Sequence, residues 1–316
     1  MNAALSPIHE SGRTTRYAQV VRLSKKSEWQ VDRDLMQGRQ FDFSRKFLPD
    51  GLSRVDALSF LTTCDARLLS QVQGRTYAYI FGLVERFISA KMLDQGRAHA
   101  LDDQHALEAL VRFTGEEIKH QEMFRRMEEM IGEQMPPGYR QMANPSDVAR
   151  AVLAASTWAV LALTCHIELF VQSHYAESIH KDANLCPLFK DVFKYHWKDE
   201  SQHVVLDELE WKDEHARLLP AQRDLAVDDL IALVAAVDGI LQAQSAADVE
   251  YFVRNASREF NEGEVAEIKS TGLGAYRWQY IITGVRHPHF GKLLTSMTTP
   301  AQMARIQAAL APILAA

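Results

Sequence analysis

Apolar positions recur at alternating steps of three and four through most of this chain, and the breaks between these runs mark out a series of helices. Ser53 to Val72 predicts a first helix, capped by Ser53, with Val55, Leu58, Leu61 and Leu69 along one face. After Gly74, the run Tyr77 to Leu93 contains residues that suit a strand but is too long to be one, so it predicts a second helix. Gly96 interrupts the pattern, and Asp102 and Asp103 offer a cap for the next element. There Leu110, Phe113, Glu117, His120, Phe124, Met127 and Ile131 form one core-facing seam, which ends at Met135-Pro136-Pro137-Gly138.

A further helix is expected from about Asn144 to Asp147 through Leu161 and Glu168 to about Ser178, followed by a polar loop, Lys181 to Pro187. Leu188 to about Glu214 is helical again, with Phe189, Phe193, His196, Glu200 and His203 on one side. Beyond Pro220, Leu225 to Gln242, Ala247 to Phe260 and Gln302 to Leu314 predict helices packed around these. The domain organisation expected is a flexible tail over 1–24 and a single helical domain over 25–316, its bundle core at about 75–213.

Composition narrows the class. Only 15 Gly and 10 Pro in 316 residues leave long uninterrupted elements, and 47% apolar with 24% charged residues excludes wholesale disorder. A net charge of −6 without a basic stripe argues against nucleic-acid binding. Cys64, Cys165 and Cys186 are odd in number and far apart, so neither a disulfide framework nor a thiolate metal site is expected, and a reducing cytoplasm fits. Met1 to Tyr17 lacks the basic-then-apolar order of an export signal. Ala151 to Val171 is apolar enough for a membrane span, but His166 and Glu168 within it predict a buried core helix, with no membrane partner.

Two copies of Glu-x-x-His stand out, Glu117/His120 and Glu200/His203. Residues three apart share a helix face, so each pair can grip one metal ion. Each copy follows a Glu set in an apolar run, Glu85 and Glu168, at the same distance (117 − 85 and 200 − 168 are both 32). Two antiparallel helices bring such residues level only if the turn falls midway. The midpoints, Leu101 and Asn184, adjoin the Asp102/Asp103 cap and sit in the polar loop. The predicted fold is therefore all-α: a ferritin-like four-helix bundle with additional N- and C-terminal helices. Four buried carboxylates need a counter-charge, which two divalent cations supply; carboxylate and imidazole ligands suit iron, or manganese, or a mixed Mn/Fe pair.

Glu116 and Asp199 each precede a ligand Glu, placed to accept the outer N–H of a histidine on the neighbouring helix, Asp199 from His120 and Glu116 from His203. His196, one turn before Glu200, adds a candidate third histidine ligand on the same face. Thr157, Leu161 and Thr164 on the Glu168 face, and Phe81 on the Glu85 face, are candidates to line a substrate pocket, while His166 points away from Glu168. His287 and His289 are expected in a loop.

With these residues in this order, the chain resembles the p-aminobenzoate N-oxygenase family of di-iron proteins over about residues 75–213, chiefly through His196-Trp-Lys-Asp-Glu200-Ser-Gln-His203. The resemblance implies a di-iron oxygenase with O2 as co-substrate, an external electron donor or reductase, and oxygen transfer to an amine nitrogen of a small organic substrate. Two other readings use the same scaffold: another di-iron oxidase or hydroxylase, with Tyr79 and Tyr175 keeping radical chemistry open, and a ferroxidase or iron-storage subunit, which the long chain disfavours. A homodimer through the outer helices is compatible with the pattern.

Overall fold

Most of the long helices begin where a side chain or a proline deals with the first free N–H groups. The computed structural model describes residues 7–315. After α1 (Pro7–Ser27), a π-helical turn (Val31–Met36) and the short α2 (Asp50–Ser53), Thr62 caps α3 (Thr63–Ala98) by accepting from the Asp65 amide. Asp103 caps α4 (Gln104–Gln134) and Asn144 caps α5 (Pro145–Leu153). Then come α6 (Thr157–Ser173), a π-helical turn (His174–Ile179) and α7 (Pro187–Arg217), which starts on its proline. The chain ends with α8 (Pro220–Asn255), α9 (Glu262–Arg277), α10 (Thr283–Val285), α11 (Pro288–Ser296) and α12 (Pro300–Leu314). No strand occurs among the described residues, only an isolated bridge between Lys46 and Leu185.

α3 pairs with α4 and α6 with α7, and these two hairpins form the four-helix bundle. One hydrophobic core runs from Tyr17 in α1 to Ile313 in α12 and joins the bundle to the helices around it. Burial of this size is the main favourable term for folding. Among the described residues no helix is long and apolar enough to cross a membrane; residues 158–171 of α6 are all buried in protein.

Several boundaries differ from expectation. The segment expected as a tail over 1–24 is helical from Pro7, and α1 packs on α4 and α7 through Tyr17, Val20 and Val21; residues 1–6 lie outside the described residues. Gly74 does not break a helix. It lies inside α3, where an added Cβ would come within 2.6 Å of Phe47 Cβ and 3.1 Å of the Phe189 ring, so its small size admits two aromatic neighbours. Ser53 ends α2 instead of starting the bundle helix. α5 and α6 are separate because the Ser156 amide leaves the helix to donate to Asp229 Oδ2 at 2.8 Å. The two helices expected after Pro220 are one, α8, whose Gln244 holds the Arg140 carbonyl and the Met142 amide. α9 was not anticipated, although Asn261 and Glu264 form a capping box. His287 and His289 are not in a loop: His287 caps α11 and His289 lies within it, against Glu208 at 3.0 Å.

Candidate metal centre

The four bundle helices bring Glu85, Glu117, His120, Glu168, His196, Glu200 and His203 together in the interior, each with at most 2% of its surface exposed. Their potential ligand atoms fall into two groups of four, Glu85/His120/His196/Glu200 and Glu117/Glu168/Glu200/His203, with all atoms of a group within 4.8 Å of one another. The sequence pattern suggested that each Glu-x-x-His pair serves one ion. The structure divides the first pair only: Glu117 Oε1 lies 2.8 Å from His203 Nδ1 and His120 Nδ1 lies 3.1 Å from Glu200 Oε1, whereas Glu200 and His203 stay together in one group and Glu200 also joins the other. Three residues along a helix amount to nearly a full turn and a rise of about 4.5 Å, so Glu117 and His120 stand at different levels, opposite different partners across the bundle.

Each histidine turns one nitrogen inward. His203 Nδ1 is 2.7 Å from Glu200 Oε2, and His196 Nε2 is 2.7 Å from Glu200 Oε1 and 3.1 Å from Glu85 Oε1. The outer nitrogens of two rings meet carboxylates: His120 Nε2–H donates to Asp199 at 3.1 Å and His203 Nε2–H donates to Glu116 at 2.9 Å. These contacts put the proton on Nε2 and leave Nδ1 as a lone-pair donor facing inward. His196 differs, because its outer Nδ1 has no hydrogen-bond partner among the described residues. Its ring is held by packing, edge-on to Phe81 and Phe124 at centroid distances of 5.4 and 4.9 Å.

The donor set passes a direct test of fit to metal. Glu85 Oε2, both oxygens of Glu117, Glu168 Oε2, Glu200 Oε1 and His120 Nδ1 are buried without a hydrogen-bond partner. So many unmatched acceptors in one interior are costly unless cations meet them. Their electrostatics carry the same strain. Burial, then the Glu200 charge, pushes the Glu168 carboxyl well above the usual range; burial acts upward on Glu200 too, but His196 and His203 hold it well below. Oxygen and nitrogen donors without sulfur suit iron or manganese.

Sequence reasoning missed the next layer of residues. Asp199 Oδ2 also accepts from Trp29 Nε1 at 2.8 Å and Lys119 Nζ at 2.7 Å, and Glu116 accepts from Ser24 Oγ at 2.7 Å. Ser24 and Trp29 come from α1 and the loop after it, where no pattern signalled a role; Lys119, beside His120, was the one with a visible cue. Asp207, one turn past His203, is fully buried with both oxygens unmatched, and burial pushes its carboxyl well above the usual range. Of the pocket candidates, Phe81 borders a small cavity. Leu161 and Thr164 are fully buried, with Thr164 Oγ1 donating to the Val160 carbonyl, and Thr157 accepts from Lys91 at 3.3 Å. His166 points away from the centre, to the Ile281 carbonyl at 3.0 Å. Tyr79 bonds the Ala143 carbonyl, and Tyr175 lies 3.4 Å from His180.

A family model described as "P-aminobenzoate N-oxygenase AurF" matches residues 70–262, more than half of the chain, and the matched stretch contains all seven clustered residues. Among solved structures, a mutant R2-like ligand-binding oxidase with an aerobically reconstituted Mn/Fe cofactor is 15% identical over 83% of this chain and 93% of that one, with a TM-score of 0.46. A second such mutant, with an Fe/Fe cofactor, is 16% identical over 83% and 92%, with a TM-score of 0.47. A third, with Mn/Fe, is 14% identical over 89% and 98%, also at 0.47. No curated protein matches the sequence.

Proposed function

This chain belongs to the p-aminobenzoate N-oxygenase AurF family of non-haem di-iron oxygenases, and on that premise we propose that it transfers oxygen from O2 to an amine nitrogen of a small organic substrate. The observation that carries the proposal is the pair of four-residue groups sharing Glu200, one of which contains a third histidine, His196. In this reading Glu85, His120 and His196 would hold one ion, Glu117, Glu168 and His203 would hold the other, and Glu200, common to both groups, would serve as a ligand for either. When bound, the two ions supply electrons to O2 and make an oxygen atom available for transfer.

The chain's own residues do the rest. Asp199 and Glu116 fix the tautomer and orientation of His120 and His203, so two ligands are set before metal arrives. Phe81, Phe113, Phe124 and Phe193 wall the histidines and keep bulk water from the reacting atoms. Electrons come from an external donor or reductase. The three unpaired cysteines suit a reducing cytoplasm.

The test is single-turnover mixing of iron-loaded, reduced protein with O2, with and without an arylamine, followed by product analysis. A hydroxylamine or more oxidised nitrogen product supports N-oxygenation. O2 consumption that ignores amines but oxidises a C–H substrate would favour the hydroxylase reading. Iron oxidised and retained as a mineral would favour storage.

A further inference from the structure

Tyr77, Phe81 and Glu85 follow one another at steps of four, so one ridge of α3 leads away from the metal centre. The Phe81 ring meets His196 at a centroid distance of 5.4 Å and Tyr77 at 4.6 Å, which leaves Tyr77 one ring removed from a candidate ligand. The line of rings continues outward. Tyr280, in the π-helical turn Trp278–Ile282, lies 5.9 Å from Tyr77 and 6.1 Å from Tyr276. Tyr77, Tyr280 and Tyr276 are all buried.

The hydroxyl at each end of this line already has a base. Thr283 Oγ1 donates to the Gln279 carbonyl at 3.1 Å, so it accepts from His174 Nε2–H at 2.9 Å. That leaves a lone pair on His174 Nδ1, which accepts from the Tyr77 hydroxyl at 2.7 Å. Burial lowers the imidazole to about 3, so the lone pair stays free of a proton. At the other end Tyr276 donates to Asp248 Oδ2; Thr76 donates to the same oxygen at 2.5 Å and lies 2.7 Å from the hydroxyl of the partly exposed Tyr139. Tyr280, between them, has no hydrogen-bond partner among the described residues.

A phenol that loses an electron becomes a strong acid, and a base within hydrogen-bond reach takes its proton at once. We infer that Tyr77 is a redox-active residue that draws oxidising equivalents off the metal centre when no substrate consumes them, with His174 as its proton acceptor and Tyr276, through Tyr280, as the next station outward. Tyr77 gives one electron to the oxidised centre, its O–H bond breaks, and the proton forms an N–H bond on His174 Nδ1. The Tyr77 radical then takes an electron from Tyr276, whose proton passes to the Asp248 carboxylate while His174 returns its proton to Tyr77. An external one-electron reductant such as ascorbate restores Tyr276 by way of Tyr139. The two tyrosines considered for radical chemistry from sequence do not fill this role. Tyr79 donates to the Ala143 carbonyl, which cannot take up a proton, and the Tyr175 ring meets His180 and Trp197, outside this line.

The inference rests on a centre that activates O2 and not on an amine substrate. Freeze-quench EPR of iron-loaded, reduced protein mixed with O2 and no substrate tests it. A tyrosyl radical is expected, and Tyr77→Phe, which keeps the ring and its packing, should abolish it. His174→Gln accepts the hydrogen bond but cannot take the proton, and should slow radical formation at least about 100-fold. Tyr276→Phe should lengthen the lifetime of the signal. In metal-free protein, photogenerated ruthenium(III) tris-bipyridine stands in as oxidant and should give a tyrosyl component that Tyr77→Phe removes. A signal that survives Tyr77→Phe unchanged, one that forms as fast in His174→Gln as in the parent, or no radical in the O2 reaction overturns the inference. The radical without a hydroxylamine product when an arylamine is added supports Tyr77 and counts against N-oxygenation. N-oxidation of the arylamine by protein that forms no radical without it does the reverse.

Discussion

Trp29 donates its indole N–H to Asp199 Oδ2 at 2.8 Å, and the same oxygen accepts from His120. A residue far from the clustered side chains in sequence therefore fixes a carboxylate that orients His120, a candidate ligand. Lys119 also holds Asp199 and lies over the Trp29 ring, with its ammonium 4.1 Å from the centroid. Replacing Asp199 with Ala should lower iron affinity by about 10–100-fold. Trp29→Phe, which leaves two donors on Asp199, should cost under about tenfold. Competitive chelator titration measures both, and equal losses would remove the proposed order of dependence.

Removing metal should expose the strain in the centre. Without cations, four buried glutamates have only histidines and shared protons to balance them. Restoring ferrous ion at about 100 times its Kd should add about 2.7 kcal/mol of stability. Calorimetry on chelator-treated and reloaded protein reads this directly, and superimposable melting curves would rule out a metal site here.

His196 has no acceptor on its outer nitrogen, so packing and the inner contacts to Glu85 and Glu200 position it. His196→Ala should fold, because Phe81, Phe124 and Phe193 remain around the site. The Glu85/His120 position should then lose at least about tenfold in iron affinity. Metal analysis should find one tightly held ion where the parent holds two. Full occupancy together with parental O2 consumption would remove His196 from the ligand set.

Away from the metal, Asp248 supplies a pH dependence. It is fully buried and accepts from Thr76 at 2.5 Å, Gln244 at 2.8 Å and Tyr276, yet burial outweighs these bonds and raises its carboxyl to about 7. A raised folded-state value means that the protonated acid favours folding. That contribution is complete below the ordinary value of 3.8 and is lost as pH rises through about 7, an effect on the order of 4 kcal/mol. Asp248→Asn should remove this slope. Urea midpoints at several pH values, compared between parent and variant, decide it; parallel curves would show that Asp248 does not titrate there.

Gly74→Val should destabilise by about 1–3 kcal/mol through overpacking, since Phe47 and Phe189 already touch the space an added Cβ needs. Thermal unfolding checks this, and a variant as stable as the parent would show that the two rings yield freely.

Much of the site was legible in the sequence because its information is local. Glu-x-x-His repeats on one helix face, and an equal spacing to an earlier glutamate requires only that two hairpins turn at their midpoints. Caps such as Asp103 and helix-starting prolines likewise act within a turn of their own position. Three-dimensional packing decided the rest. Gly74 looks like a break until Phe47 and Phe189 arrive beside it, and Ser156 leaves its helix only because Asp229 from α8 captures its amide. The division of the candidate ligands into two groups that share Glu200, and the recruitment of Ser24 and Trp29 to hold Glu116 and Asp199, depend on which helix faces lie opposite one another. A helical period records which residues share a face. It carries no record of what that face will meet, because contacts between elements distant in the chain are set by the shape and burial of the whole core.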